Sequence, residues 1–264
     1  MPGSISRLER FAVVGSTNDV VRGWLAEGTP EVCVAVADAQ TAGRGREGRS
    51  WTAPAGAALL TSTGFRPVWL RPEHLWRLAA VTSVAMAEAG EEAAALPSGT
   101  ILLKWPNDLV LQTTDDVRKL AGVLGETDGL GTDDPRAVIG IGVNGDWAPG
   151  EFPVELAGSM TSLRELAGRS IDHGELLDAF LERLDAAVAG LREGQFDALG
   201  WSARQVTTDR DIDLMRPDGS RTTVRATGVD TDTGALLVGD TRILVGEIEH
   251  VRLAVPGTTA RIAV

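Results

Sequence analysis

The chain has 264 residues, 43% of them hydrophobic and 23% charged, with a formal net charge of −12. That length buries a sizeable core and suits one large domain with a smaller one, while so acidic a balance repels nucleic acid and anionic membranes in general. The single cysteine, Cys33, lies in the apolar run VCVAVA; this excludes an internal disulfide and reads as a buried, inert thiol. The N-terminal residues MPGSISRLERFAVV contain no signal-peptide core, and the longest charge-free apolar stretch, residues 78–87, is too short to cross a bilayer. A cytoplasmic protein without membrane contact is expected.

In chain order, residues 11–14 read as a short strand, and Ser16-Thr17-Asn18-Asp19 opens a helix to about residue 27. Ser16 with Asp19 three positions on has the form of a capping box, so Ser16 is read first as a cap, with a ligand at the helix start as the alternative. Residues 32–37 and 57–65 are apolar strands on either side of a glycine-arginine loop. Pro72 begins a helix to about residue 95 whose wide apolar face marks it as core. Residues 101–111 form a strand interrupted by a turn at Pro106-Asn107-Asp108, residues 112–117 a polar hairpin, and residues 119–126 and 136–143 two further strands, the second ending at Asn144. Gly140 and Gly142 on that last strand imply the close approach of a backbone or ligand, or tight packing on a helix. Helices follow over 162–167, 172–192 and 196–201. After residue 203 the character changes to short strands, 212–215, 222–229, 235–238, 241–244 and 249–253, with turn signals every 8 to 12 residues, the mark of a small β barrel. Two domains are expected, 1–203 and 204–264.

The chemistry concentrates in residues 40–51, QTAGRGREGRSW. Glycines let backbone approach a ligand, and guanidinium forks match carboxylate and phosphate oxygens, so this reads as an anion-binding loop. Its Gly43-x-Gly45-x-x-Gly48 spacing also fits a dinucleotide fingerprint, but no helix opens on the third glycine and no acid follows at the ribose distance. Of 25 basic residues only Lys104 and Lys119 are lysine. In a chain that otherwise uses arginine, a retained lysine marks a place where a compact ammonium is required. There is no G-x-S-x-G elbow; the three histidines, His74, His173 and His250, are scattered; and Asp115-Asp116 and Asp133-Asp134 read as solvated turns.

Taken together, GRGREGRSW, KWPNDLVL, RKLAGVLGE and VIGIGVN, in this order, resemble the biotin protein ligases, and GVDTDTGALLV resembles their C-terminal SH3-like domain. The resemblance implies an α+β fold: a mixed β-sheet catalytic domain of the class II synthetase type with flanking helices, then the SH3-like barrel. It also implies the class that lacks an N-terminal DNA-binding domain, with no nucleic-acid partner. The implied reaction joins biotin and ATP, with Mg²⁺ carried by the nucleotide, into biotinyl-5′-AMP and then moves biotin to a lysine of a biotin carboxyl carrier protein. By resemblance, Ser16, Thr17, Asn18, Gln40, Arg44, Gly45, Arg46, Lys104 and Gly142 would hold biotin. Arg46, Arg49, Trp51, Lys104, Asn107 and Asn144 would hold ATP, with Lys104 and Arg46 catalytic. Glu47 departs from the Arg or Gly often found at its position, and the role of Lys119 stays open. The alternatives are a lipoate-type ligase and a non-catalytic biotinyl-AMP sensor.

Overall fold

The computed structural model describes residues 4–114, 117–148, 150–248 and 250–253. It is an α+β molecule built on a seven-stranded mixed sheet of order β1-β2-β3-β7-β6-β5-β4. Strand β1 (Arg7–Val14) runs parallel to β2 (Cys33–Gln40), and α1 (Thr17–Ala26) makes the crossover. The other pairings are antiparallel, through β3 (Leu59–Phe65), β7 (Arg136–Val143), β6 (Val117–Asp128), β5 (Asp108–Gln112) and β4 (Ile101–Lys104). One face of the sheet packs on α2 (Trp76–Ala93) and α5 (His173–Arg192), whose buried Leu78, Met86, Leu176, Phe180 and Leu184 recur at helical spacing. The smaller helices are α3 (Val154–Ala157), α4 (Leu163–Ala167) and α6 (Ala198–Ala203).

After α6 come two three-stranded antiparallel sheets with the proportions of a small SH3-like barrel. The first, β13-β8-β9, uses β8 (Arg210–Met215), β9 (Arg221–Ala226) and β13 (His250–Leu253); the second, β10-β11-β12, uses Gly228–Val229, Leu236–Val238 and Thr241–Ile243. The connector before them pairs with β4: Leu103 N–H donates to Arg204 O and Val206 N–H to Leu103 O, each at 2.8 Å. Arg204 also forks onto the buried Glu91 of α2 at 2.8 and 3.2 Å.

Several expectations shift. The helix from Pro72 begins as a 3₁₀ turn, Pro72–His74, before α2, and the last short helix lies at Ala198–Ala203 instead of 196–201 because Asp197 caps it by accepting from Gly200 N–H at 2.8 Å. The strand expected over 222–229 divides into β9 and β10. Ser16 makes no side-chain cap on α1. It is buried, and the amide of Thr17 donates instead to Gln40 Oε1 at 2.7 Å, so a side chain from β2 fills that place. Asp134 is not merely solvated, since it pairs with Arg66 and Arg136. Asp115-Asp116 and the start of the last strand at Glu249 lie outside the described residues. Cys33 is fully buried, and burial pushes its thiol up to about 11, which keeps it protonated at neutral pH.

The barrel meets the seven-stranded sheet and α2 through the turn 230–234. Trp105 Nε1 donates to Gly234 O at 3.0 Å and Trp76 Nε1 to Asp232 O at 3.2 Å. Gly234 has φ +72°, and a Cβ there would stand 2.6 Å from the Trp76 ring, so only glycine fits. Asp230 closes the turn, accepting from the amides of Asp232 and Thr233 at 2.9 Å and pairing with Arg242. The hydrogen bond from Arg242, then the Thr233 amide, hold its carboxyl down to about 2. A lowered folded-state pKa contributes stability that is fully present above the unfolded value, near 4, and is lost as pH falls toward 2. Thermal midpoints measured down this range should therefore fall less steeply in Asp230→Asn than in the natural chain; parallel curves would contradict that assignment.

Candidate functional site

A cavity of about 1170 Å³ opens on the face of the sheet opposite α2 and α5. That exceeds the roughly 300–1,000 Å³ usual for a single small ligand. At one end the walls are polar and cross-linked by hydrogen bonds. Gln40 Oε1 accepts from both the amide and the hydroxyl of Thr17, at 2.7 and 3.0 Å. Ser62 Oγ lies 2.7 Å from Thr17 Oγ1 and 2.6 Å from Asn18 Oδ1, and Asn18 Nδ2 donates to Glu126 Oε2 at 2.6 Å. Gly140 makes room for this cluster: a Cβ there would meet Asn18 Oδ1 at 2.1 Å. The close approach expected at this glycine is to a side chain from α1.

The glycine-arginine loop spans the mouth, its ends joined by a bridge between Arg44 and Ser50. Arg44 forks onto Asp19 at 2.7 and 2.8 Å and reaches Glu126 at 3.5 Å. That contact, ahead of Arg22, holds the Asp19 carboxyl below its usual range. Arg46 turns toward the barrel and is shielded from solvent; burial pulls its pKa down. Glu47 sits at φ 55°, ψ 40°, a left-handed conformation that costs a non-glycine residue about 1 kcal/mol. Its carboxylate is exposed and only 3.9 Å from Arg46, so it tempers the charge of that arginine.

The cationic end is built by the KWPND turn and β6. Asp108, 14% exposed, stands between the two lysines, with Lys119 Nζ at 2.6 Å and Lys104 Nζ at 3.7 Å. Lys119 also lies over the Trp51 ring, 5.3 Å from its centroid. The indole rests on a floor of Gly122 and Gly142, whose added Cβ atoms would come within 3.1 and 2.7 Å of it. Its buried Nε1 has no hydrogen-bond partner. Asn107 lines the cavity, but its Nδ2 donates to Val123 O at 2.9 Å, which locks the turn onto β6. From the barrel, Asp213, Arg221, Thr223 and Arg252 wall the far side.

The structure thus gathers Ser16, Thr17, Asn18, Gln40, Arg44, Gly45, Arg46, Arg49, Trp51, Lys104, Asn107 and Gly142 around one cavity. Asn144 is not among the lining residues. It is fully buried, with Nδ2 donating to Thr161 O at 2.9 Å, Oδ1 without a hydrogen-bond partner, and its main chain tied to Leu120 and Leu163. Asp108, Glu126 and the barrel wall were missed. Asp108 was legible as the acid beside a retained lysine, whereas the barrel residues carry no local signal. Lys119 gains a definite place opposite Lys104.

The family model described as "Biotin/lipoate A/B protein ligase family" matches residues 11–144, about half of the chain. A biotin–[acetyl-CoA-carboxylase] ligase of Mycobacterium tuberculosis is 31% identical over 253 residues, covering 93% of this chain and 90% of that relative. The chain belongs to the biotin/lipoate A/B protein ligase family. Within that ligase family, the bifunctional ligase/repressor BirA of Escherichia coli is 36% identical over 177 residues, and the match spans about half of that relative, 51%. Among solved family members, the biotin protein ligase of Aquifex aeolicus in complex with biotin and ATP superposes with TM-score 0.75 at 26% identity, covering 96% of this chain and all of that one. No helix among the described residues is long and apolar enough to cross a membrane.

Proposed function

We propose that this ligase activates biotin with ATP as biotinyl-5′-AMP, releasing pyrophosphate, and then transfers the biotinyl group to a lysine of a biotin carboxyl carrier protein domain. The observation that carries the reading is a single cavity with a neutral, hydrogen-bonding end at Thr17, Asn18 and Gln40 and a cationic end at Lys104, Lys119 and Arg46. The first end suits an uncharged ureido ring, whose donors and acceptors need fixed partners. The second suits a carboxylate meeting a polyphosphate, two anions that repel in water.

The chain's own contribution is to place those anions and to offset charge in flight. One carboxylate oxygen attacks the α-phosphorus while the bond to the pyrophosphate oxygen breaks. Lys104 and Lys119 neutralise the five-coordinate phosphorus, and Trp51 and the arginine loop keep water out. In the second step the acceptor amine attacks the acyl carbon, losing its proton as AMP leaves. Mg²⁺ enters on the phosphates: the lining acids Asp108 and Asp213 are engaged with Lys119 and Arg221, and among the described residues no cluster of three metal-ligating side chains occurs. We assign residues 1–203 to the catalytic domain and 204–264 to the barrel, and place the protein in the cytoplasm.

The test is one incubation with ATP, labelled biotin and a carrier domain, run beside labelled lipoate. Label on the carrier from biotin alone supports the reading; label from lipoate, or an unlabelled carrier, overturns it. With a net charge of −12, the protein should also give no sequence-specific, salt-resistant shift of duplex DNA, with or without biotin and ATP. Such a shift would point to a repressor function.

A further inference from the structure

The neutral end of the cavity has fewer hydroxyl hydrogens than contacts to fill. Thr17 and Ser62 carry one each, yet three short contacts compete for them: Ser62 Oγ to Asn18 Oδ1 at 2.6 Å, Ser62 Oγ to Thr17 Oγ1 at 2.7 Å and Thr17 Oγ1 to Gln40 Oε1 at 3.0 Å. Thr17, Asn18 and Gln40 line the cavity; Ser62, which is fully buried, and Glu126 do not. The row of contacts ends at Glu126, whose Oε2 accepts from Asn18 Nδ2 at 2.6 Å and is paired with Arg22 at 2.8 Å and Arg44 at 3.5 Å. A carboxylate can only accept, so Glu126 holds the amide nitrogen of Asn18 on its own side and turns Oδ1 toward Ser62. Oδ1 can only accept as well. The Ser62 hydrogen therefore goes to it, and Ser62 Oγ in turn accepts from Thr17. The Thr17 hydrogen, shared with Gln40 Oε1, leans to the nearer Ser62, and Thr17 Oγ1 keeps both lone pairs unspent.

We propose that Glu126 is a specificity-determining positioning residue: from behind the wall it sets the direction of the relay Thr17 to Ser62 to Asn18, so that the cavity shows acceptors and selects its ligand by ring N–H donors. The inference rests on the reading of biotin as the first substrate. Two acceptors, Thr17 Oγ1 and Gln40 Oε1, lie 3.0 Å apart with the hydroxyl hydrogen drawn away from the line between them. A ring N–H placed against them relieves that arrangement, and a ring oxygen aggravates it. Without the charge of Glu126 the relay can run the other way. An amide at residue 126 can donate to Asn18 Oδ1; Asn18 Nδ2 then donates to Ser62, Ser62 to Thr17 and Thr17 to Gln40. Every contact is then filled with no ligand present, and the demand for a donor is gone.

The test sets biotin against the two cyclic carbamates in which one or the other ureido N–H is replaced by a ring oxygen. Titration calorimetry on the full chain gives each affinity, and single-turnover pyrophosphate release at saturating biotin and ATP gives the rate of activation. The natural protein should prefer biotin by about 10²-fold or more to the carbamate whose oxygen faces Thr17, since a site built to pair a donor strongly rejects the analogue lacking it. Glu126→Gln should cut that preference about tenfold or more by weakening biotin, with the saturated rate within about threefold of the natural one, because the reacting atoms lie at the other end of the cavity. Arg22→Gln, which removes an ion pair and leaves the relay, should keep the preference. Ser62→Ala breaks the relay without touching Glu126; it should reproduce the loss, and the double variant should lose no more than either alone. An unchanged preference in Glu126→Gln or in Ser62→Ala, equal weakening of biotin and carbamate, or a loss in Arg22→Gln as large as in Glu126→Gln would overturn the relay. A natural protein that binds no biotin would overturn biotin activation, and the relay with it.

Discussion

Lys104→Arg and Lys119→Arg should each slow biotinyl-adenylate formation by about 10²-fold or more, roughly 3 kcal/mol, while leaving the protein folded. The chain uses arginine everywhere else, and its two lysines meet at one acid, Asp108. Each ammonium is a small point charge in a confined place: Lys119 has the Trp51 ring on one side and Gly122 on the other, where an added Cβ would lie 3.2 Å from Nζ. A planar guanidinium needs more width than that gap offers, and its charge is spread over three nitrogens. Asp108 holds both cations in the absence of anions, so a guanidinium displaced from either place leaves the acid facing the incoming phosphate, and repulsion adds to the weakened attraction. Biotin-dependent pyrophosphate release in single turnovers measures the effect. Near-natural rates in either variant would remove that lysine from the chemistry.

Gly140→Ala and Gly142→Ala should separate the two halves of the cavity. A methyl at residue 140 would drive Asn18 off its bonds to Ser62 and Glu126, and a methyl at residue 142 would push against the Trp51 indole at 2.7 Å. Overpacking of this order costs about 1–3 kcal/mol, which corresponds to ~10- to 10²-fold in affinity. Gly140→Ala should therefore weaken biotin binding with little change for ATP, and Gly142→Ala the reverse. Titration calorimetry with each ligand reads the split directly, and equal losses for both ligands in both variants would mean that the glycines serve only the core.

The fold was legible where burial imposes a period. The runs in β2, β7, α2 and α5 stand out because one face, or both, lies in the core. β1 shows in the sequence only from residue 11 but begins at Arg7, since an edge strand carries Arg7, Glu9 and Arg10 with no apolar requirement. Of the site, the loop and the KWPND turn were legible because glycine, proline and a lone lysine are costly to keep without reason. Ser16 misled: its spacing to Asp19 matches a cap, but Asp19 is taken by Arg44 and Arg22, partners fixed by tertiary structure. Asn144 is not among the residues that line the cavity, and its Nδ2 is taken by Thr161 O. The backbone carbonyls of Val245 and Ile248 that hold Arg46 leave no trace in any side-chain pattern.

The connector at 204–206 has a consequence for the company the molecule keeps. A seven-stranded sheet has two borders whose unpaired amides and carbonyls can recruit a foreign strand. At the β4 border the chain seals itself: Leu103 exchanges both of its backbone hydrogen bonds with Arg204 and Val206, and the fork of Arg204 on Glu91 keeps that segment down. The border sealed is the one that carries Lys104, so strand addition is blocked at that end of the sheet, and β1 forms the other border.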